Sequence, residues 1–111
     1  MDSGRSIRSP PGQTMPTLSR ILTILRQHRG TLRERFKVGE VGVFGSVVRG
    51  DTHSGSDVDI LVEFTEPVSL LGLVSLENYL SDILGIPADV VPREDIRIEL
   101  KDRIEREAVF A

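Results

Sequence analysis

The sequence predicts one domain of the α/β (α+β) class, a small mixed β-sheet with helices packed on one face. Three observations predict this class. Apolar residues recur at helical spacing in some segments, and β-branched residues cluster in others. The resulting order is helix, strand, strand, helix, strand, helix, which suits one layer of helices against one sheet. At 111 residues, the chain is long enough for one such domain but not for two.

The first helix is predicted by four apolar residues at positions i, i+3, i+4 and i+7, which are Leu18, Ile21, Leu22 and Leu25. Thr17 is the expected N-cap of this helix, and Gly30 is its expected end. A short polar helical segment is expected next, over residues 31–36 (TLRERF).

Three strands are predicted from their β-branched content, at 38–44 (VGEVGVF), 57–64 (DVDILVEF) and 88–91 (ADVV). In the second strand, alternate residues point to the face expected to meet the helices, namely Val58, Ile60, Val62 and Phe64. Residues 45–56 contain glycine and serine without apolar periodicity, and they are predicted to form a turn and loop.

Two more helices complete the prediction. Ser69 is expected to cap a helix that ends at Gly85. A last helix is expected after Pro92, where Glu94 and Asp95 suit a helix N-terminus. Its apolar stripe consists of Ile96, Leu100, Ile104 and Ala108.

The first 16 residues differ in composition from the rest. They are rich in Ser, Gly and Pro and lack the apolar region of a secretory signal, so we expect residues 1–16 to form a disordered tail before a folded domain at 17–111. Either Met1 or Met15 could be the true start.

The totals exclude several classes of function. The net charge of −3 argues against general binding of nucleic acid or anionic lipid. The absence of cysteine excludes disulfides, thiolate zinc sites and a cysteine nucleophile, and it fits a reducing cytoplasm, where we expect the protein to act. No apolar run reaches the about 18 residues that a membrane span needs.

Two carboxylates at the start of the second strand carry the first functional prediction. Residues two apart in a strand face the same side, roughly 6.5–7 Å apart, so Asp57 and Asp59 project together and repel each other. Divalent cations remove that repulsion, and Mg²⁺ takes one or two carboxylates while leaving positions for phosphate oxygens. Two metal ions roughly 3.5–4 Å apart are the usual arrangement for in-line displacement at phosphorus.

The segment before these carboxylates predicts a phosphate site. Gly45 lets the backbone approach a ligand closely, and successive N–H groups in a tight turn bind anions. The Ser46 hydroxyl adds a donor, and Arg49 could contact a leaving pyrophosphate or form a salt bridge within the loop. Asp89 is the favoured third carboxylate, on a neighbouring strand beside Asp57, whereas Glu63 lies about 13 Å from Asp57 along the same strand.

These residues resemble a known signature. Gly45-Ser46, ten residues, and then Asp57-Val58-Asp59 look like the motif of DNA-polymerase-beta-type nucleotidyltransferases, and FGSVVRGDTHSGSDVDILVEF resembles the minimal nucleotidyltransferase branch. Asp89 matches the third carboxylate of that branch, and LKDRIEREAVFA is similar to its C-terminal helix. The resemblance covers residues 18–110. Val48 stands where many members have Ala, a departure that we expect to be harmless.

The resemblance implies the polymerase-beta-like fold, a function and a set of site residues. Catalytic and metal-binding roles fall on Asp57, Asp59 and Asp89, and nucleotide binding falls on Gly45, Ser46, Arg49 and Ser56. Members of the branch are commonly type VII antitoxins paired with a helical HEPN ribonuclease toxin. The implied reaction is Mg²⁺-dependent transfer of AMP from ATP to a tyrosine of that toxin, with two ions expected.

Other interpretations stay open at this point. The aspartates could be solvated charges at a strand start, and DTHSGSDVD could be a calcium loop, although its sixth position is not glycine. A nucleophilic Ser46 would need His28 or His53 as its base. The protein could instead inhibit a toxin by masking it, or modify a small molecule or an RNA end.

The small size of the chain favours a protein acceptor that brings its own recognition surface. Val109 and Phe110 are expected either to contact such a partner or to cap the core.

Overall fold

The structure is a computed structural model that describes residues 16–50 and 57–111. All but the last residue of the predicted tail therefore lie outside the described residues. The elements within these ranges are α1 (Leu18–Gln27), α2 (Arg29–Phe36), β1 (Val38–Phe44), α3 (Ser46–Arg49), β2 (Val58–Phe64), α4 (Leu70–Leu84), β3 (Ala88–Pro92), a 3₁₀ turn (Arg93–Asp95), α5 (Ile98–Glu107) and β4 (Val109–Phe110). None of the helices among these residues is both long and apolar enough to cross a membrane.

The first helix begins as predicted but ends earlier. The Thr17 side chain accepts a hydrogen bond from the Arg20 N–H at 3.1 Å, which makes it the N-cap of α1. The prediction that Gly30 ends this helix is wrong, because Gly30 lies inside α2. The helix ends at Gln27, and the C-cap is His28, whose Nδ1 lies 2.9 Å from the Ile24 carbonyl oxygen. Gly30 does not adopt positive φ, so its conformational freedom is not what separates the two helices.

The strands form one mixed sheet, as predicted, in the order β3-β2-β1-β4. Strand β1 runs antiparallel to both β2 and β4, and β2 runs parallel to β3. The strand β4 was not predicted: Val109 and Phe110 pair with Val43 and Gly42. A Cβ on Gly42 would lie 2.9 Å from the Phe110 ring, so glycine at this position makes room for the edge strand.

The core lies between one face of the sheet and the helices α1 and α4. On β2, Val58, Ile60 and Val62 are fully buried on the predicted face. Buried side chains of the two helices belong to the same cluster, including Ile21, Leu25, Leu76 and Leu80. The prediction of helices against one apolar sheet face is confirmed for these elements.

The helix α5 lies beside the opposite face of β2. Arg93 connects it to that face: its Nε donates to Glu105 Oε2 at 2.9 Å, and its Nη1 lies 3.5 Å from Glu63 Oε1. The prediction that this helix starts at Glu94 is wrong, since 93–95 is a 3₁₀ turn and Ile98 is the first residue of α5. Extended backbone at Ile96 and Arg97 separates the two elements.

Candidate active site

Gly45 stands at the end of β1, where the chain approaches the carboxylate of Asp59. Its φ of 84° and ψ of −149° lie in a region that residues with a side chain avoid. A Cβ built on Gly45 would overlap Asp59 Oδ2 and come within 3.1 Å of Asp59 Cγ. The backbone conformation therefore requires glycine here, and an added side chain would also displace the Asp59 carboxylate.

The residues after Gly45 form a short helix rather than only a turn and loop. The carbonyl oxygen of Gly45 accepts the N–H groups of Val48 at 3.0 Å and Arg49 at 3.1 Å, which produces α3. The prediction of a loop over 45–56 is therefore wrong for 46–49. Ser46 begins α3 and is half-buried. Residues 51–56, with the predicted nucleotide-binding Ser56 and the alternative base His53, lie outside the described residues.

Asp89, the predicted third carboxylate, lies beside Asp59 rather than beside Asp57. Asp59 and Asp89 are register partners in the parallel pair formed by β2 and β3, whereas Asp57 precedes β2. Our expectation that Asp89 lies beside Asp57 needs this correction, because the parallel register aligns Asp89 two residues further along. Asp57 and Asp89 are exposed, and Asp59 is half-buried.

The electrostatic environment of Asp59 disfavours its charged form. Burial raises the pKa of Asp59, and the negative charges of Asp89, Asp57 and Glu107 raise it further. The guanidinium of Arg49 opposes this rise. The position thus carries more negative charge than the protein neutralises.

Glu107 is a site residue that the sequence analysis missed. Its Oε1 accepts the Gly45 N–H at 2.9 Å, and its Oε2 accepts Arg49 Nη1 at 2.9 Å. Although burial acts to raise the pKa of Glu107, these hydrogen bonds and the positive charges of Arg49 and Arg103 lower it. The sequence contains a signal for this position: Glu107 follows Ile104 by three residues, so both side chains lie on the same side of α5.

The Gly45 N–H and Arg49, which were predicted to donate hydrogen bonds to phosphate, donate to Glu107 in this structure. The Gly45 N–H was expected to help bind an anion, and here that anion is the Glu107 carboxylate. Arg49 was expected to contact phosphate or to form a salt bridge, and the structure shows the salt bridge. The nucleotide-binding role of both residues stays a prediction.

A cavity of about 220 Å³ opens beside these groups. One wall contains Phe44, Gly45, Arg49 and Asp59. The other wall comes from α5 and contains Leu100, Arg103, Ile104 and Glu107. The cavity therefore joins charged groups at the ends of the strands to a helix that the sequence analysis assigned only a packing role.

The carboxylates do not form a ready metal site. Over residues 16–50 and 57–111, no group of three or more His, Asp or Glu side chains is arranged to hold a metal ion. Asp57, Asp59 and Asp89 nevertheless offer the hard oxygen donors that Mg²⁺ prefers, next to a half-buried carboxylate that lacks a full counter-charge. The donor chemistry fits magnesium, and the side-chain arrangement is not yet that of a bound ion.

Comparison with known families decides the assignment. The nucleotidyltransferase domain family matches residues 25–111. The chain belongs to this family. Our prediction that the protein is a nucleotidyltransferase is thereby confirmed. The protein adenylyltransferase MntA of Thermococcus cleftensis is 47% identical over 96 residues, which cover 86% of this chain and 97% of that protein.

Solved structures confirm the predicted fold of this nucleotidyltransferase. One, provisionally described as a minimal nucleotidyltransferase, is 35% identical with a TM-score of 0.71, covering 88% of this chain and 98% of the other. A second is a tri-AMPylated HEPN toxin of Shewanella oneidensis in complex with an MNT antitoxin. It is 18% identical with a TM-score of 0.54, covers 83% of this chain and 66% of the other, and supports the fold alone.

Proposed function

We propose that this nucleotidyltransferase is a Mg²⁺-dependent protein adenylyltransferase that acts as a cytoplasmic antitoxin. It transfers AMP from ATP to a hydroxyl group, a tyrosine by our inference, of a HEPN-type toxin. The observation that carries the proposal is the position of Asp59, half-buried, in register with Asp89 and in contact with the Gly45 turn. The protein adenylyltransferase that is 47% identical to this chain supports the choice of AMP and of a protein acceptor.

Asp57, Asp59 and Asp89 would hold the magnesium. Magnesium would neutralise the carboxylates and the phosphates, and it would polarise the reacting phosphoryl group. The raised pKa of Asp59 supports this role, because burial and neighbouring negative charges leave its carboxylate short of counter-charge. Asp57 and Asp89 are exposed, so their side chains have room to turn toward an ion beside Asp59.

The residues of the chain then have separate tasks in the transfer. Asp89 accepts the proton of the acceptor hydroxyl, as a general base within reach of the site. The hydroxyl oxygen forms a bond to the α-phosphorus, the bond to the bridging oxygen breaks, and pyrophosphate leaves. Gly45, Ser46, Arg49 and Ser56 position the triphosphate, and tight positioning of this kind supplies much of the rate in such reactions.

The decisive experiment mixes the purified chain with its candidate HEPN toxin, ATP and Mg²⁺, and measures the intact mass of the toxin. Transfer predicts a mass gain of one or more AMP units. The double variant Asp57→Asn, Asp59→Asn should lose the transfer. The matched control is Asp82→Asn, an exposed carboxylate on α4, which should retain it.

The rival functions give different results in the same experiment. Inhibition of the toxin without a mass change, which survives the double substitution, would establish masking by binding and overturn our proposal. If labelled ATP instead modifies an RNA end or a small molecule while the toxin stays unmodified, the acceptor in our proposal is wrong and the transferase activity stands.

A further inference from the structure

A bound nucleotide would give the cavity beside Asp59 an excess of negative charge. A triphosphate brings several negative charges to a site that already holds Asp59 and Glu107. The cations that line the cavity are Arg49 and Arg103. Which of them is available for phosphate depends on what each already contacts.

The charge of Arg49 is already engaged by the protein. Its Nη1 lies 2.9 Å from Glu107 Oε2, and the same carboxylate accepts the Gly45 N–H. The Glu107 side chain is 17% exposed and that of Arg49 is 46% exposed, so water screens this ion pair from the Arg49 side only. Much of the positive charge of Arg49 therefore serves to hold α5 against the Gly45 turn.

Arg103 differs from Arg49 in this respect. It lies one helical turn before Glu107 on α5, lines the same cavity as Asp59 and is exposed. With the described residues it forms no ion pair, although its charge reaches Glu107 strongly enough to lower the pKa of that carboxyl. Arg103 thus offers, in the wall of the cavity, a guanidinium that no described carboxylate engages in an ion pair.

We propose that Arg103 of α5 binds the triphosphate of the nucleotide and the pyrophosphate that leaves. The inference rests on the proposed function and adds to it a residue that no motif of the sequence points to. A guanidinium presents a planar pair of donors that matches two phosphate oxygens, and it keeps its charge at every physiological pH. In this arrangement Glu107 engages part of the charge of Arg49 at the turn, and Arg103 adds to Arg49 a second guanidinium that forms no ion pair with the described residues.

The test compares Arg103→Gln with Arg106→Gln. Arg106 lies on the same helix, is exposed, contacts the Asp102 carbonyl oxygen of its own helix and does not line the cavity. Both substitutions remove one positive charge, so they change the net charge equally. Calorimetric titration with ATP and Mg²⁺ should show binding weakened about tenfold or more by Arg103→Gln and little changed by Arg106→Gln. Inhibition by added pyrophosphate should weaken in parallel.

The outcomes separate this inference from the function on which it rests. If the unsubstituted chain binds ATP and modifies its acceptor, and Arg103→Gln binds ATP and pyrophosphate as Arg106→Gln does, the inference is overturned and the proposed function stands. If the unsubstituted chain takes up no ATP, both are overturned. Arg103→Lys, which keeps the charge but loses the paired donors, should give an intermediate affinity, and equal thermal unfolding of all variants would exclude misfolding as the cause.

Discussion

The two faces of β2 differ as sharply as any two regions of this molecule. On one face, Val58, Ile60 and Val62 are fully buried against α1 and α4. On the other, Asp59 and Glu63 lie beside α5, and Asp59 has too little positive charge around it. One strand therefore carries the centre of the core and the centre of the candidate active site, one residue apart.

This difference explains how a small domain tolerates an unfavourable carboxylate. The apolar face supplies burial, which stabilises the fold in proportion to the apolar area removed from water. The Asp59 carboxylate on the other face opposes folding, because burial and like charges penalise its ionised form. The strand keeps its position because Val58, Ile60 and Val62 on its opposite face are fully buried in the core. Truncation of a buried apolar side chain and neutralisation of the Asp59 carboxylate should therefore change stability in opposite directions.

The largest effect on stability is expected from the apolar face. Ile60→Ala should lower the free energy of unfolding by about 2–5 kcal/mol, because it removes fully buried methyl groups and leaves a cavity. Ile60→Val should cost only about 0.5–1.5 kcal/mol. Urea unfolding monitored by circular dichroism measures both. A loss for Ile60→Ala no greater than for Ile60→Val would mean that this face does not carry the core.

A smaller effect is expected at Gly45, where the chain meets the carboxylate face. Gly45→Ala should destabilise the fold by roughly 1–3 kcal/mol, because it forces a side chain into positive φ and against Asp59. Gly50→Ala is the comparison for positive φ without a contact: Gly50 lies in the less restrictive left-handed region, with φ of 81° and ψ of 14°, and none of the described atoms lies within 4 Å of an added Cβ. The comparison is made by thermal unfolding. Equal losses for the two variants would show that contact with Asp59 contributes nothing.

The smallest effect concerns the charge of Asp59 and has the opposite sign. A raised pKa means that the folded state binds this proton more tightly than the unfolded state. The stability from this group is therefore fully present below the unfolded pKa and is lost as pH rises through the folded pKa. Asp59→Asn should consequently be the more stable protein at neutral pH without divalent metal.

The pH dependence provides the check. The stability difference between Asp59→Asn and the unsubstituted chain should grow from about pH 4 to about pH 7 in urea unfolding with chelator present. Asp82→Asn on α4, away from the carboxylates, serves as the control. A constant difference across this range would show that Asp59 is not perturbed by its neighbours.

The sequence predicted the elements whose signal is local. Alternation in DVDILVEF identified both faces of β2, and the spacing of Leu18, Ile21, Leu22 and Leu25 identified α1. The pairing of Gly45-Ser46 with the two aspartates identified the candidate site, which the family assignment supports. The errors also had local causes: four residues of a predicted loop form α3, and the acidic residues at 94–95 belong to a 3₁₀ turn rather than to α5.

Sequence alone determined that one side of β2 would be apolar and that the other would carry Asp59 and Glu63 around Leu61, because side chains alternate along any strand. Only the tertiary structure decided that Asp89 aligns with Asp59 and that Glu107 reaches Gly45 across 62 residues of chain. Strand register and the docking of α5 depend on how distant segments pack, which no short pattern encodes. The helix α5 is an example. Its sequence pattern indicates packing alone, whereas in the structure it lines the candidate active site and provides Arg103.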